Sequence, residues 1–528
     1  VAYLIWAFAR LDVSDPDVVG RACREALRRG FAAFDPRHFA MLLWAVARLG
    51  GREQNFWDGM RTYLPAVYAE AIVDAQGVAS LAMVIHGLNR AGELTTSFKL
   101  LDSVLSLDVD VSGDAYGGWL AGCRAAGDTE AELRLWGHMA RTAPSRGMRA
   151  AAGNMAAIRT WELHGDESRV VAALRALEEE GLTNAVSMLV QARLTKSESE
   201  GLACQCQPLG WQPRLRSEGI RQARAAGRIL SKWDYYKEVG VLEYVLARAA
   251  PGDADSVCSA IEAFSREEHL YLKLGAEEKG LALDAMLSGV EASLLRCGGD
   301  GTTKVAVPLV VEVGCYVGYS AVRMGRRIAS WPRGRLVTME VDPYHAAVSR
   351  SVLELAGLGD VVEVWIGHSE ELIPRLLPRF GPGCVWATFF DQKGTRYHED
   401  LELFEASRLL ASGAFVCADN VVRPGAPEFM WRVCDPNGHY ETQVVAHRDY
   451  GQDSVEDWIS ISRFSSCGAE EEWRRPSPSL SRRRLEAPPS MRQLAYDSDQ
   501  IRNRSVNERV TEEEWRVFAL RVRHEFKA

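Results

Sequence analysis

Over the first 195 residues apolar side chains return every three to four positions, the spacing that lays one stripe along a helix. The stretch "LIWAFARL" at 4–11 comes back as "LLWAVARL" at 42–49, which sets Trp6 and Trp44 38 residues apart. Farther on, Gly92, Gly127 and Gly165 each mark a glycine–acid break between amphipathic segments, at separations of 35 and 38 residues. Such a period predicts stacked helix pairs, an α-solenoid over 1–195, whose Trp, Leu and Ala positions are packing residues.

Around 196–234 the periodicity fades into "TKSESEGLACQCQPLGWQPRLRSEG", a polar, proline-containing linker. From 235 the pattern changes class. Short apolar runs, "PLVVEVG" (308–314), "RLVTMEVD" (335–342), "VVEVWIG" (361–367), "CVWATFFD" (384–391) and "AFVCADN" (414–420), alternate with helical segments. Runs about 25 residues apart are expected of βαβ units in a doubly wound, Rossmann-like parallel sheet. "ETQVVAHR" and "DWISISRF" follow closely, as an antiparallel edge hairpin would, and bring this α/β domain to 463. The Arg/Ser/Pro/Glu-rich stretch over 464–490 predicts a disordered insertion. A C-terminal helical element over 491–528 is announced by the capping box Thr511-x-x-Glu514, with Trp515, Phe518 and Val522 on one face.

Composition adds limits. At 528 residues and 47% hydrophobic the chain can bury more than one core, and its net charge of -9 argues against nonspecific attraction to nucleic acid. The eleven cysteines lack repeated C-x-x-C spacing and mostly sit in apolar stretches, which predicts core residues in a reducing, cytoplasmic or organellar setting. Cys204-x-Cys206 is read as an ordinary loop pair. No apolar run reaches the ~18 residues of a membrane helix. The first residue is Val, so the true amino terminus is expected to lie upstream.

The chemistry is expected at the carboxyl ends of the strands, where open parallel sheets bind ligands. The first strand runs into Glu312-Val313-Gly314-Cys315-Tyr316-Val317-Gly318, without the G-x-G-x-x-G spacing that cradles a pyrophosphate. An acid two residues before the first glycine suits a ligand with positive charge, and Glu340 ends the second strand where an acid accepts hydrogen bonds from a ribose. The pair favours S-adenosylmethionine, with Gly314 and Gly318 allowing close approach. Asp391 ends the fourth strand and Asp419-Asn420 the fifth. By itself the latter pair is a turn signal. Two carboxylates and an amide at one rim form a hard oxygen set suited to Mg²⁺.

Two resemblances follow from quoted strings. "DAYGGWLAGCRAAGDTEAELRLWGHM" resembles the pentatricopeptide and octotricopeptide repeats, which implies an RNA or protein partner for the helical half. "VVEVGCYVGYSAVRMG", "VTMEVDP", "WIGHSEELIPRL", "FFDQKGTRY" and "ADNVVRPGAPEF", in this order, resemble catechol O-methyltransferase from about 235 to 463, with "AEEKG" as the upstream edge. That resemblance implies methyl-donor contacts at Leu274, Glu312, Tyr316, Ser320, Glu340, Ser369 and Asp391, and a Mg²⁺ site at Asp391, Asp419 and Asn420. It also implies acceptor contacts at Asn420 and Pro424, a small catechol-like substrate, and in-line transfer without a covalent enzyme intermediate. The alternative function is a noncatalytic repeat protein binding RNA or protein and carrying a divergent methyltransferase domain.

Two departures touch the acceptor side. The family's general-base lysine stands three residues after the first metal aspartate, behind an aromatic wall; here those positions hold Gly394 and Lys393. Gly394 can adopt backbone angles closed to other residues, so Lys393 is expected to turn inward and act as the base. The carboxylate that anchors the second hydroxyl falls near His447, with Asp449 close by.

Overall fold

The computed structural model describes residues 1–11, 13–65, 75–105, 111–143, 145–195, 235–267, 274, 277–297, 307–449, 452–465, 487–507 and 510–527. They fall mainly into two compact units, one dominated by residues before 196 and one by residues after 235. The linker over 196–234, the Cys204-x-Cys206 pair and most of the insertion, 466–486, lie outside the described residues.

The first unit is helical. The two copies of the W-A-x-A-R-L pattern form helices Ala2–Arg10 and Pro36–Arg48, which pack on each other, and the second also packs on Ala75–Ala91. The glycine–acid breaks work as the spacing implies. Gly127 closes helix Gly113–Ala126 with φ +69°, and the Asp128 side chain then accepts the Ala131 N–H at 2.9 Å to open the next helix. Gly165 and Asp166 repeat the device, Asp166 accepting from Ser168 at 2.9 Å and Arg169 at 3.2 Å. Glycine takes the left-handed turn without a Cβ penalty, and the acid fills donors that a helix start leaves open. Trp119 and Trp136 are fully buried, whereas the repeated Trp6 and Trp44 are half-buried.

The second unit is built on a seven-stranded sheet, β1 Leu309–Val313, β2 Arg335–Glu340, β3 Val362–Ile366, β4 Val385–Phe390, β5 Leu410–Ala418, β6 Tyr440–Asp449 and β7 Gln452–Phe464. Its order is β3-β2-β1-β4-β5-β7-β6, parallel through β5, with β7 antiparallel to both β5 and β6. The expected hairpin is present, but its second strand inserts beside β5 and leaves β6 at the edge. β1 is buried along its whole length, as expected of a strand covered on both faces. Strand order reverses between β2-β1 and β4-β5, so the crevice at the ends of β1 and β4 is the switch point at which such sheets take ligands.

The carboxyl terminus supplies two helices, Pro489–Asn507 and Glu512–Lys527. The second has the expected capping box: the Thr511 N–H donates to Glu514 at 2.9 Å, and the Glu514 N–H donates to the Thr511 hydroxyl at 3.2 Å. Trp515, Phe518 and Val522 are buried in the core of the second unit. The first helix begins inside the stretch assigned to the insertion, and it buries Met491, Leu494 and Ile501 in the same core.

Candidate active site

Register carries the site. Val313 pairs with Phe390, and Phe390 with Ala418, so the residues that follow form a row: Gly314, Asp391, Asp419. The backbone ladder runs on through them, with the Asp391 N–H donating to Val313 O and the Asp419 N–H to Phe390 O, both at 2.9 Å. Three strand ends thus deliver a glycine and two carboxylates side by side at the switch point. Gly314 has φ +101°, and a Cβ on it would lie 2.3 Å from the Asp391 carbonyl oxygen, so only glycine fits there.

On the β1–β2 side, Glu312 is completely buried opposite Thr338, whose hydroxyl donates to Oε2 at 2.5 Å. Its other oxygen, Oε1, is buried and has no hydrogen-bond partner among the described residues. Burial pushes the Glu312 carboxyl up to about 8, against hydrogen bonds from Ser320 and Thr338 that lower it. An orphaned carboxylate oxygen in such a place fits a cationic ligand. Glu340 Oε2 accepts the N–H groups of Cys315 at 3.2 Å and Tyr316 at 2.9 Å, so it also holds the turn after β1, in which Tyr316 has φ +51°. Ser320 is buried in the first turn of helix Tyr319–Ile328. Ser369 donates to Asp400 Oδ1 at 2.7 Å, and the Gln392 amide donates to the other Asp400 oxygen. Burial pushes that carboxyl up to about 7. Leu274 is buried, 3% exposed.

On the β4–β5 side the site includes partners that the sequence reading did not find. Lys279, from "AEEKG", donates to Asp419 Oδ2 at 2.8 Å in an ion pair that is almost wholly buried. Burial alone would raise the Asp419 carboxyl; the Lys279 ammonium outweighs it, with help from His447, and holds it at about 2. His447 Nε2 lies 3.6 Å from Asp419 Oδ1 and is 2% exposed, so the histidine belongs to this cluster. Asp449 falls beyond it, opposite Gln452 in the β6–β7 register.

Asn420, at φ +55°, donates its side-chain N–H to Asp457 Oδ2 at 3.0 Å. Asp457 Oδ1 accepts the N–H groups of Val422 at 3.2 Å, Arg423 at 3.0 Å and Trp458 at 2.7 Å. Asp457 therefore anchors the loop after β5 and commits the Asn420 amide nitrogen, which leaves its carbonyl oxygen as the polar atom available to a cation. Asp391, Asp419 and Asn420 are all oxygen donors, and that chemistry fits Mg²⁺. Any metal would share Asp419 with Lys279. Among the described residues there is no cluster of three or more His, Cys, Asp or Glu suited to a metal, and here the third oxygen comes from an amide.

Lys393 does not take the expected course. Its ammonium donates to Asp499 Oδ2 at 2.6 Å, and Thr395 donates to Asp499 Oδ1 at 2.9 Å. Gly394 has no left-handed backbone to turn the lysine inward; what it provides is space, because a Cβ there would lie 2.5 Å from the Gly425 carbonyl oxygen. The position that carries the base in the family is closed to a side chain. Pro424 sits in the loop after β5, its carbonyl accepting from Ser498 at 2.7 Å.

A family model described as a methyltransferase domain matches residues 311–421, which run from β1 to the loop after β5. Catechol O-methyltransferase of Mus musculus is 37% identical over 214 residues, 40% of this chain and 74% of that protein. Catechol O-methyltransferase B of Danio rerio is 33% identical over 224 residues, 42% and 77% of the two chains. The solved O-methyltransferase TomG from Streptomyces achromogenes, in complex with SAM, covers 43% of this chain and 96% of that one, at 22% identity and a TM-score of 0.32. With a sheet that delivers Glu312, Glu340, Asp391 and Asp419 at its switch point and relatives matched over most of their own length, the chain belongs to the catechol O-methyltransferase family.

Proposed function

We propose that this chain is a Mg²⁺-dependent O-methyltransferase that moves the methyl group of S-adenosylmethionine to one hydroxyl of a catechol-like diol. The observation that carries the reading is the row Gly314, Asp391, Asp419 at adjacent strand ends, which sets a donor grip and an oxygen-rich grip side by side. On the donor side the buried Glu312 faces the ammonium of the donor's amino-acid end, Glu340 serves the ribose, and the Gly314 turn allows backbone to approach the ligand. Ser320, Tyr316, Leu274 and Ser369 complete that half, with Asp400 orienting Ser369.

On the acceptor side Asp391, Asp419 and Asn420 would hold Mg²⁺, which when bound supplies positive charge that lowers the pKa of a phenol. Asp457 orients Asn420, Lys279 offsets the charge of Asp419, and Pro424 and His447 border the acceptor. The reaction forms an O–C bond, breaks the S–C bond of the sulfonium and releases the hydroxyl proton, so what the protein contributes is largely alignment of the two reactants. In this arrangement Asp499 holds Lys393 as an ammonium, and it could take that proton only after giving up one of its own to become the free amine.

The test is methyl transfer from labelled donor to catechol and to a matched monophenol, with Mg²⁺ and with a chelator. Transfer to the diol alone, lost on chelation, is the expected result. Equal transfer to the monophenol, or transfer indifferent to chelation, would refute the diol and metal parts of the reading.

A further inference from the structure

The two C-terminal helices lie beyond the part of the chain that resembles the family, yet they reach both loops on the acceptor side. Helix Pro489–Asn507 presents two neighbouring residues to two different loops. Asp499 takes the Lys393 ammonium at 2.6 Å and the Thr395 hydroxyl at 2.9 Å, which ties it to the loop after β4. Ser498, 1% exposed, donates to the Pro424 carbonyl at 2.7 Å, which ties it to the loop after β5. The second helix adds apolar support: Arg423 lies over the Trp515 ring at 5.0 Å, and Phe518 packs where a Cβ on Gly425 would stand, 3.3 Å away.

These loops are the ones that leave Asp391 and Asp419-Asn420. They also lie close together, since a Cβ on Gly394 would stand 2.5 Å from the Gly425 carbonyl oxygen. A loop on a strand end is ordinarily the mobile part of a site, and a binding geometry held only by loops is loose unless a second layer fixes it. Here that layer is one helix bridging both loops, through a charge-assisted pair on one side and a buried hydroxyl–carbonyl bond on the other.

We infer that the C-terminal helical pair is a built-in component of the acceptor site, with Asp499 and Ser498 as positioning residues that set acceptor recognition and leave donor binding alone. The inference rests on the proposed methyl transfer to a diol. Lys393 is on this account a structural cation, held by Asp499 to keep the loop after β4 against the loop after β5.

The experiment measures acceptor KM and kcat with catechol, and donor affinity by calorimetry, in the full chain and in Asp499→Ala, Asp499→Glu, Ser498→Ala and Lys393→Met. Asp499→Ala should raise the acceptor KM by about tenfold, with donor affinity within about twofold of the parent. Asp499→Glu should restore part of the loss. Lys393→Met should give a similar rise without changing the shape of the pH–rate profile, and combining it with Asp499→Ala should add little, as for two partners in one contact. Ser498→Ala tests the same bridge from the other loop should the charge change impair folding. An unchanged acceptor KM in both Asp499→Ala and Ser498→Ala, or donor affinity falling in step with it, would overturn the inference while the proposed function stood. A parent chain that methylates no diol would overturn both.

Discussion

The buried pair of Lys279 and Asp419 is where single residues matter most. Both side chains are almost fully enclosed, so removing one leaves a charge in a poor solvent. Lys279→Met is expected to destabilise the methyltransferase-like unit by about 3–5 kcal/mol, read as a shift of the denaturation midpoint. The pH sign follows from the Asp419 carboxyl, held at about 2, below its usual range. Its stabilising contribution is fully present above the unfolded-state value and is lost as pH falls toward 2; in Lys279→Met that acid-side loss should begin at higher pH. Glu312 works the other way. Its carboxyl, raised to about 8 by burial, keeps a proton at neutral pH until a cation arrives. Donor binding near pH 7 should therefore release a proton, and affinity should rise as pH approaches 8. Calorimetry in two buffers of different ionisation enthalpy measures that proton, and none released would remove Glu312 from the ammonium. The placement of Glu312, Glu340, Asp391 and Asp419-Asn420 at or beside strand ends was legible because each closes or nearly closes an apolar run. Lys279, Asp457 and Asp499 were not, because their partners lie 140, 37 and 106 residues away in the chain and only the fold brings them together.

Among the elements, the helices of the first unit were legible through their punctuation. Gly127 and Gly165 are left-handed helix stops, and Asp128 and Asp166 cap the helices that follow. Gly127→Ala meets no atom within 4 Å, so its cost is backbone strain alone, about 1 kcal/mol. It should lower the stability of the helical unit without altering donor affinity; a change in donor affinity would contradict that division. The sequence reading placed helix Pro489–Asn507 within its C-terminal helical element over 491–528 but marked no boundary for it, for a physical reason. Its apolar residues are few and separated by polar and charged ones, so the stripe of Met491, Leu494 and Ile501 is too thin to stand out beside an Arg/Ser-rich stretch. Its stability comes from docking, which no local pattern reports. The strand order was only half legible as well, since the hairpin signal at 441–464 shows two paired strands but not that the second inserts beside β5.

The whole chain joins a helical unit to a methyltransferase-like unit, and no described helix is long and apolar enough to cross a membrane. The core of the second unit is drawn from residues 309–522, so a fragment of residues 235–528 is expected to fold and bind donor without the repeats. A folded fragment that fails to bind donor would show that the repeats contribute to the site. The account's central claim is that this one sheet rim carries two separable grips, for donor on β1–β2 and for the acceptor's oxygens on β4–β5. The measurement that tests it most directly is donor affinity beside methyl transfer in Asp419→Asn, a change that keeps the side chain's shape and removes its charge. Donor affinity within about threefold of the parent, with transfer to catechol reduced ~100-fold or more, is the predicted result. Transfer that survives unchanged, or donor affinity that falls as far as transfer does, would contradict it.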